Sequence, residues 1–347
     1  MKKSLLILLF TCWALFFAAF RPVMPFAAET AAFPDGTPVT GGRILMGTIG
    51  EPSNLIPYMA SDSASGEITG LLYVAPLKYD KDLNVVPWAA ASYEVLEGGR
   101  LLRFVLRDDI RWEDGVPLTA DDVEFTYKLM IDPKTPTAYS GDFLAIESFK
   151  KTGRLSFEVR YAKPFARSLM TWMGAILPKH VLEGQDIMTT PVARKPIGAG
   201  PYRLAKWDAG SMLTLTASDT YFEGRPNLDE VVYRIIPDPS TMFLELKAGK
   251  LDMMSLSPQQ YLRQTQGPQW ERDWRKYRYL SFSYTFLGFN LEHPFFKDVR
   301  VRRAISMAID RQSLIDGVLL GQGVPTRSAP SAAASARLRA ESAEEST

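Results

Sequence analysis

Few side chains in this sequence are equipped for chemistry. Thiol or soft-metal work would fall to two histidines, His180 and His293, and one cysteine, Cys12. That is fewer ligands than a structural zinc cluster requires. Nucleophilic hydrolysis needs Ser or Cys beside a base, and neither His lies near a Gly-x-Ser-x-Gly elbow. His180 stands in Leu177-Pro-Lys-His-Val-Leu182, an apolar helix start where a core or capping role is expected, and His293 in a turn, Glu292-His-Pro-Phe-Phe296. Asp121 and Asp122 resemble a catalytic carboxylate pair, but Thr119-Ala-Asp-Asp122 has the spacing of a helix capping box, and acids there favour the helix dipole. Gly198 and Gly200 invite a phosphate-loop reading, yet no Lys-Ser/Thr pair follows and no helix starts there. Glycoside hydrolysis would need only two of the 39 acids, and no motif selects them. No catalytic constellation emerges, and no cofactor or metal site is expected.

The elements that would carry these residues alternate irregularly. Strands are expected at Gly42–Ile49, Leu101–Arg107 (Leu102, Phe104 and Leu106 on one face), Leu155–Tyr161 and Val231–Ile236. Arg203–Trp207 and Leu213–Thr216 flank Asp208-Ala-Gly-Ser211 as a hairpin. Ser61–Gly66 is small and polar and reads as a loop before a short helix, Glu67–Tyr73. Further helices are expected from Thr119, from Asp238-Pro239 to Gly249, over Asp298–Ile309 with Val301, Ala304, Ile305 and Ala308 inward, and after Asp310. The aromatic run Tyr277, Tyr279, Phe282, Tyr284, Phe286 and Phe289 reads equally as strand core or as a binding wall. The mixture is α/β or α+β, not an all-parallel doubly wound sheet.

Composition bounds the rest. The 347 residues are 46% hydrophobic and 23% charged, ordinary for a globular chain of about two domains. The net charge of +1 implies neither nucleic acid nor an anionic membrane as partner. Residues 1–28 combine Lys2 and Lys3, an uncharged run of 17 residues (Ser4–Phe20) and later small residues, the parts of a signal peptide. An uncleaved anchor and a lipoprotein acylated at Cys12 are the competing readings, and cleavage is expected between Ala28 and Ala32. Cleavage after residue 28 would remove Lys2, Lys3, Cys12 and Arg21, leaving a net charge of −2 and no cysteine, which fits a periplasmic chain stabilised by its core. Residues 327–347 hold seven Ala and five Ser, too little apolar surface to stay folded.

Several segments, taken in order, resemble the dipeptide/oligopeptide-binding family (solute-binding protein family 5), the extracytoplasmic components of ABC importers. They are Arg111-Trp-Glu-Asp-Gly-Val-Pro-Leu-Thr-Ala-Asp-Asp-Val-Glu-Phe-Thr-Tyr127, Pro196-Ile-Gly-Ala-Gly-Pro-Tyr202, Ala248-Gly-Lys-Leu-Asp252, Phe289-Asn290, Pro294–Ile305 and Ala308-Ile-Asp-Arg311. Ala199 departs from the Thr more usual there. The resemblance covers residues 42–325 and stops near Thr326.

The resemblance implies an α/β, two-lobed, type II periplasmic-binding-protein-like fold, with the first lobe complete and the second truncated. Lobe I would span 33–254 with an inserted subdomain at about 80–185, lobe II would begin at 258–325, and a disordered tail would follow from 326. It also implies ligand-binding residues: Ser61, Asp62 and Ser63 pairing with a ligand backbone, Tyr139 facing the ligand, Ser255, Leu256 and Ser257 at the lobe crossing, and Tyr284 on a second-lobe wall. Packing is the alternative for the tyrosines, and a solvated loop acid for Asp62. Implied partners are a peptide or similar small solute and the permease subunits of an importer, for a monomer that is not an enzyme. The alternative is a truncated or frameshifted remnant with little affinity. Ligand identity is not readable, and with two His direct nickel ligation is not expected.

Overall fold

The computed structural model describes residues 38–278 and 284–326, so the leader reading and the tail beyond Thr326 lie outside the described residues. The chain divides between Ser255 and Leu256 into two compact units, each taken here by itself.

In the larger unit the strands are β1 (Arg43–Thr48), β2 (Leu77–Tyr79), β3 (Val85–Pro87), β4 (Ala90–Leu96), β5 (Leu101–Leu106), β6 (Ile146–Lys151), β7 (Ser156–Tyr161), β8 (Tyr202–Asp208), β9 (Met212–Ala217) and β10 (Glu230–Ile235). They form one sheet ordered β1-β10-β9-β8, another ordered β4-β5-β7-β6, and the small β2-β3 pair. β1 pairs with β10 in parallel, Leu45 opposite Val232, while the remaining ladders are antiparallel. The expected hairpin is present, with Leu204 opposite Leu215.

Alternation explains the β4-β5-β7-β6 sheet. In β5, Leu102, Phe104 and Leu106 are buried while Arg103 and Val105 face out, and in β7 Phe157, Val159 and Tyr161 are buried. Phe104 stacks on Phe157 at 4.8 Å between ring centres, and Trp172 leans on both at 5.5 and 5.3 Å. Aromatic packing of this kind adds about 0.5–1.5 kcal/mol per pair to area burial.

The helices of this unit are α1 (Ser63–Leu72), α2 (Ala120–Ile131), α3 (Ser140–Leu144), α4 (Ser168–Thr171), α5 (Lys179–Leu182) and α6 (Pro239–Lys247). The expected box starts α2: Thr119 Oγ1 accepts from Asp121 N at 3.3 Å, and Asp122 Oδ2 accepts from Thr119 N at 2.8 Å. Buried Asp122 also accepts from Lys179 N at 3.0 Å, joining α2 to the start of α5. Asp238 caps α6 with Pro239 in its first turn, as the Asp-Pro dipeptide implies.

Several expectations need correction. α1 begins at Ser63 instead of Glu67, because Asp62 supplies an N-cap that a loop reading of Ser61–Gly66 overlooks. His180 neither caps nor enters the core, since it is exposed and its Nε2 pairs with Asp114 Oδ2 at 2.8 Å. Residues 274–278 and 284–290 form no strand, because alternation without a partner ladder does not fix one.

The smaller unit holds a π-helical turn (Gln260–Gln264), α7 (Pro268–Asp273), α8 (Pro294–Lys297), α9 (Val299–Ala308) and α10 (Arg311–Val318). Lys276 Nζ donates to the carbonyl oxygens of Tyr261 and Thr265 at 3.2 and 2.9 Å, tying down the π turn. Asp298 and Asp310 cap α9 and α10. The inward face expected for α9 is not buried: Ala304 and Ala308 are exposed and Val301 and Ile305 only half-buried, since no described element of this unit covers them.

Candidate ligand-binding site

A groove of about 340 Å³ lies in the larger unit, bordered by residues 54–60, α1 and its exit to Ala75, Trp88, Tyr139, and Met173–Ala175. Local sequence sets each wall. Asp62 starts α1 by accepting from Ser65 N at 2.7 Å, and it also takes the hydroxyls of Ser53 and Ser65 at 2.5 and 2.8 Å. Burial pushes the Asp62 carboxyl up, but the bonds from Ser53 and Ser65 outweigh it and hold the group below the usual carboxylate value. With its cap fixed, α1 buries Ala64, Ile68 and Leu72 and turns Gly66, Thr69, Gly70 and Tyr73 to the groove at helical spacing.

At the C-terminal end of α1, the Leu72 carbonyl has no partner within the helix and accepts from Gly200 N at 2.9 Å. Gly198 presses on the same carbonyl so closely that a Cβ there would overlap its oxygen. The Gly198-Ala-Gly200 turn is thus a packing device for α1, in accord with the rejected phosphate-loop reading.

Tyr58 joins the walls. It holds a left-handed backbone at φ 73°, a conformation uncommon for a bulky residue. Its carbonyl accepts from Thr137 Oγ1 at 2.7 Å, and its hydroxyl donates to Ala175 O at 2.8 Å. Its ring meets Tyr139 and Phe143 edge-on at 6.1 and 5.9 Å. A side chain at Gly174 would collide with the Tyr58 hydroxyl, so glycine is required opposite it. Trp88 is held by its edge, where Nε1 donates to Tyr221 Oη at 2.9 Å and to Glu223 Oε2 at 3.2 Å. Burial raises the pKa of Tyr58 and Tyr73, so these two phenols stay neutral.

The lining contains no Asp, Glu, Lys, Arg or His. Several of its polar side chains bond within the protein, whereas the buried Tyr73 hydroxyl has no hydrogen-bond partner among the described residues. Asn54 Oδ1 accepts from Ile56 N at 2.8 Å, Ser65 Oγ accepts from Ser53 N at 3.0 Å, and Thr69 Oγ1 donates to Ser65 O at 2.8 Å. Such a surface can enclose an uncharged segment but offers no acid, base or metal ligand. Among the described residues no group of three His, Cys, Asp or Glu is placed to hold a metal.

Of the residues implied by resemblance, Tyr139 lines the groove and is 46% exposed. Asp62 lies behind the lining, spent on the α1 cap, and Ser61 and Ser63 are exposed beside it. Ser255 is exposed at the end of the larger unit. Leu256, Ser257 and Tyr284 belong to the smaller unit. Ser257 there accepts from Gln260 N at 3.2 Å, and Tyr284 is exposed with its ring 5.5 Å from Phe286. Sequence reasoning missed Tyr58, Trp88, Gly66, Gly70 and Met173–Ala175. The spacing of Gly66, Thr69, Gly70 and Tyr73 was the available signal, hidden by starting the helix at Glu67.

A family profile described as "Bacterial extracellular solute-binding proteins, family 5 Middle" matches residues 84–343. The chain belongs to this family. The match continues past Thr326, where the likeness was expected to stop. Oligopeptide-binding protein AppA of Bacillus subtilis (strain 168) is 33% identical over 294 residues, 83% of this chain and 53% of that protein. The structure of AppA from Bacillus subtilis in complex with a nonapeptide is similar with a TM-score of 0.74 at 31% identity, over 84% of this chain and 58% of that one. NikZ from Campylobacter jejuni in complex with Ni(L-His) is similar with a TM-score of 0.71 at 26% identity, over 80% of this chain and 55% of that one. The chain spans about half the length of the curated relatives it matches. The mixed α/β architecture of this family 5 chain is that of the solute-binding structures it resembles.

Proposed function

We propose that this family 5 chain serves an extracytoplasmic solute-binding protein that captures peptides, or a small solute of similar shape, and delivers them to the permease subunits of an ABC importer without catalysing a reaction. The observation that carries the reading is the groove of about 340 Å³, walled by Tyr58, Trp88 and Tyr139 and free of any acid or base. That size falls in the lower range of small-ligand sites. The likeness to AppA, whose structure holds a nonapeptide, supports a peptide as ligand. On this reading residues 38–255 are the first lobe and 256–326 the start of a second, residues 1–28 are an export signal, and the protein is monomeric.

The test is a calorimetric and thermal-shift titration of the full chain with a library of pentapeptides, after circular dichroism has shown it folded and size exclusion has given its mass. Saturable binding with a raised Tm and every peptide recovered intact is the expected result. A folded monomer that shifts with no peptide would refute capture by this chain and leave a remnant of little affinity. Cleaved peptide would make it a hydrolase.

A further inference from the structure

Gly66 and Gly70 occupy the middle of α1, a helix of only ten residues. Glycine there is costly: it gives up more backbone entropy on folding than alanine and is among the poorest helix formers. A packing reason for glycine is recognised at some positions of this unit and is lacking at others, such as Gly50 and Gly141, which do not line the groove. At Gly47 a Cβ would stand 2.7 Å from Met242 Sδ, and at Gly200 it would stand 2.5 Å from Leu71 O. At Gly66 and Gly70 a Cβ would meet nothing within 4 Å, and neither residue has positive φ. Neither the fold nor the backbone excludes alanine at these positions. What the missing side chains keep open is the groove, which both glycines line.

We propose that Gly66 and Gly70 are specificity-determining residues that keep a depression open on α1 for an uncharged, apolar side chain of the ligand. The proposal rests on the reading of this groove as a peptide site. Its chemistry follows from the walls. Tyr58, Trp88, Tyr139 and Met173 offer apolar surface, no lining side chain carries a charge, and Asn54 Oδ1, Ser65 and Thr69 already bond within the protein, which leaves the buried Tyr73 hydroxyl as a neutral polar group without a hydrogen-bond partner among the described residues. A lysine or glutamate side chain seated there would lose its water without gaining an opposite charge, whereas phenylalanine or leucine gains burial.

The experiment measures dissociation constants by calorimetry for alanine pentapeptides carrying Phe, Leu, Lys or Glu at each position in turn, with the full chain and its Gly70→Ala and Gly70→Leu variants. At one peptide position Phe and Leu are expected to bind at least about tenfold more tightly than Lys and Glu. Gly70→Ala is expected to raise Tm by about 2–4 °C while weakening the Phe peptide, an opposition that a purely structural glycine would not produce. Gly70→Leu is expected to abolish the preference for Phe. If that variant fails to fold, Gly70→Ala alone decides. Equal affinity for Phe, Leu, Lys and Glu at every position overturns the proposal and leaves peptide capture standing, as does a Gly70→Ala variant that binds the Phe peptide as the parent does. No binding of any pentapeptide removes the underlying reading and the proposal with it.

Discussion

Substituting Gly198 by Ala tests whether the Gly-Ala-Gly turn serves packing or a ligand. In the folded protein a Cβ on residue 198 would overlap the Leu72 carbonyl oxygen and stand 2.8 Å from its carbon, where real Cβ atoms do not approach within 3.0 Å. Neither neighbour is a flexible side chain: both are backbone at the C-terminal end of α1. The turn and the helix must part by roughly an ångström. That separation also breaks the 2.9 Å bond from Gly200 N to Leu72 O and strains the bond from Glu113 N to Gly198 O, likewise 2.9 Å. Overpacking costs about 1–3 kcal/mol. A carbonyl left without its donor costs about 1–3 kcal/mol more. The sum, about 2–6 kcal/mol, corresponds to a fall in Tm of roughly 4–24 °C for a unit of this size. Thermal and urea unfolding followed by circular dichroism would read it directly. A Gly198→Ala protein within about 0.5 kcal/mol of the parent would refute the packing argument. Loss of ligand binding at unchanged stability would return the turn to the status of a binding loop.

Asp62→Ala removes the α1 cap together with the tie to Ser53, and is expected to cost about 1–2 kcal/mol in urea unfolding. The Asp62 carboxyl lies below its ordinary value in the folded protein, so its contribution is present above the unfolded pKa and fades as pH falls through the folded one. The parent and variant should therefore converge below about pH 4, and a gap that widens on acidification would contradict this. Thr119→Ala should cost about 1 kcal/mol, but Asp122→Ala about 2–4 kcal/mol, because buried Asp122 serves Lys179 N as well as Thr119 N. Equal losses would mean that the link from α2 to α5 contributes nothing. Tyr139→Ala should weaken peptide binding several-fold with Tm nearly unchanged, since its ring is 46% exposed; a matching drop in Tm would place Tyr139 in the core instead.

Local pattern reached as far as single elements and no further. The alternation of Leu102, Phe104 and Leu106, the capping box at Thr119 and the Asp238-Pro239 start are each decided within a few residues, and each stands where reading the chain put it. The aromatic run through Tyr284 and Phe286 alternates as well, yet its described residues form no strand, because a ladder needs a partner that alternation does not name. The groove was less legible still. Its walls come from residues as far apart as Asn54 and Ala175, and Tyr58 enters it through a backbone angle that no propensity favours for tyrosine. Resemblance pointed to Tyr139, which lines the groove, and to Asp62, which lies behind the lining with its oxygens accepting from Ser53 and Ser65.

The glycines carry the strongest contrast. In the sequence Gly66, Gly70, Gly198 and Gly200 are the same residue type, and the Gly198–Gly200 pair looked the more functional because of its spacing. In the fold the second pair is explained entirely by the backbone of Leu71 and Leu72, and the first pair by nothing in the protein. A helix that keeps glycine where alanine would fit sacrifices stability for open space. Here that space lies on the α1 wall of the groove. On the proposed reading, the functional pair is the one whose reason lies outside the chain.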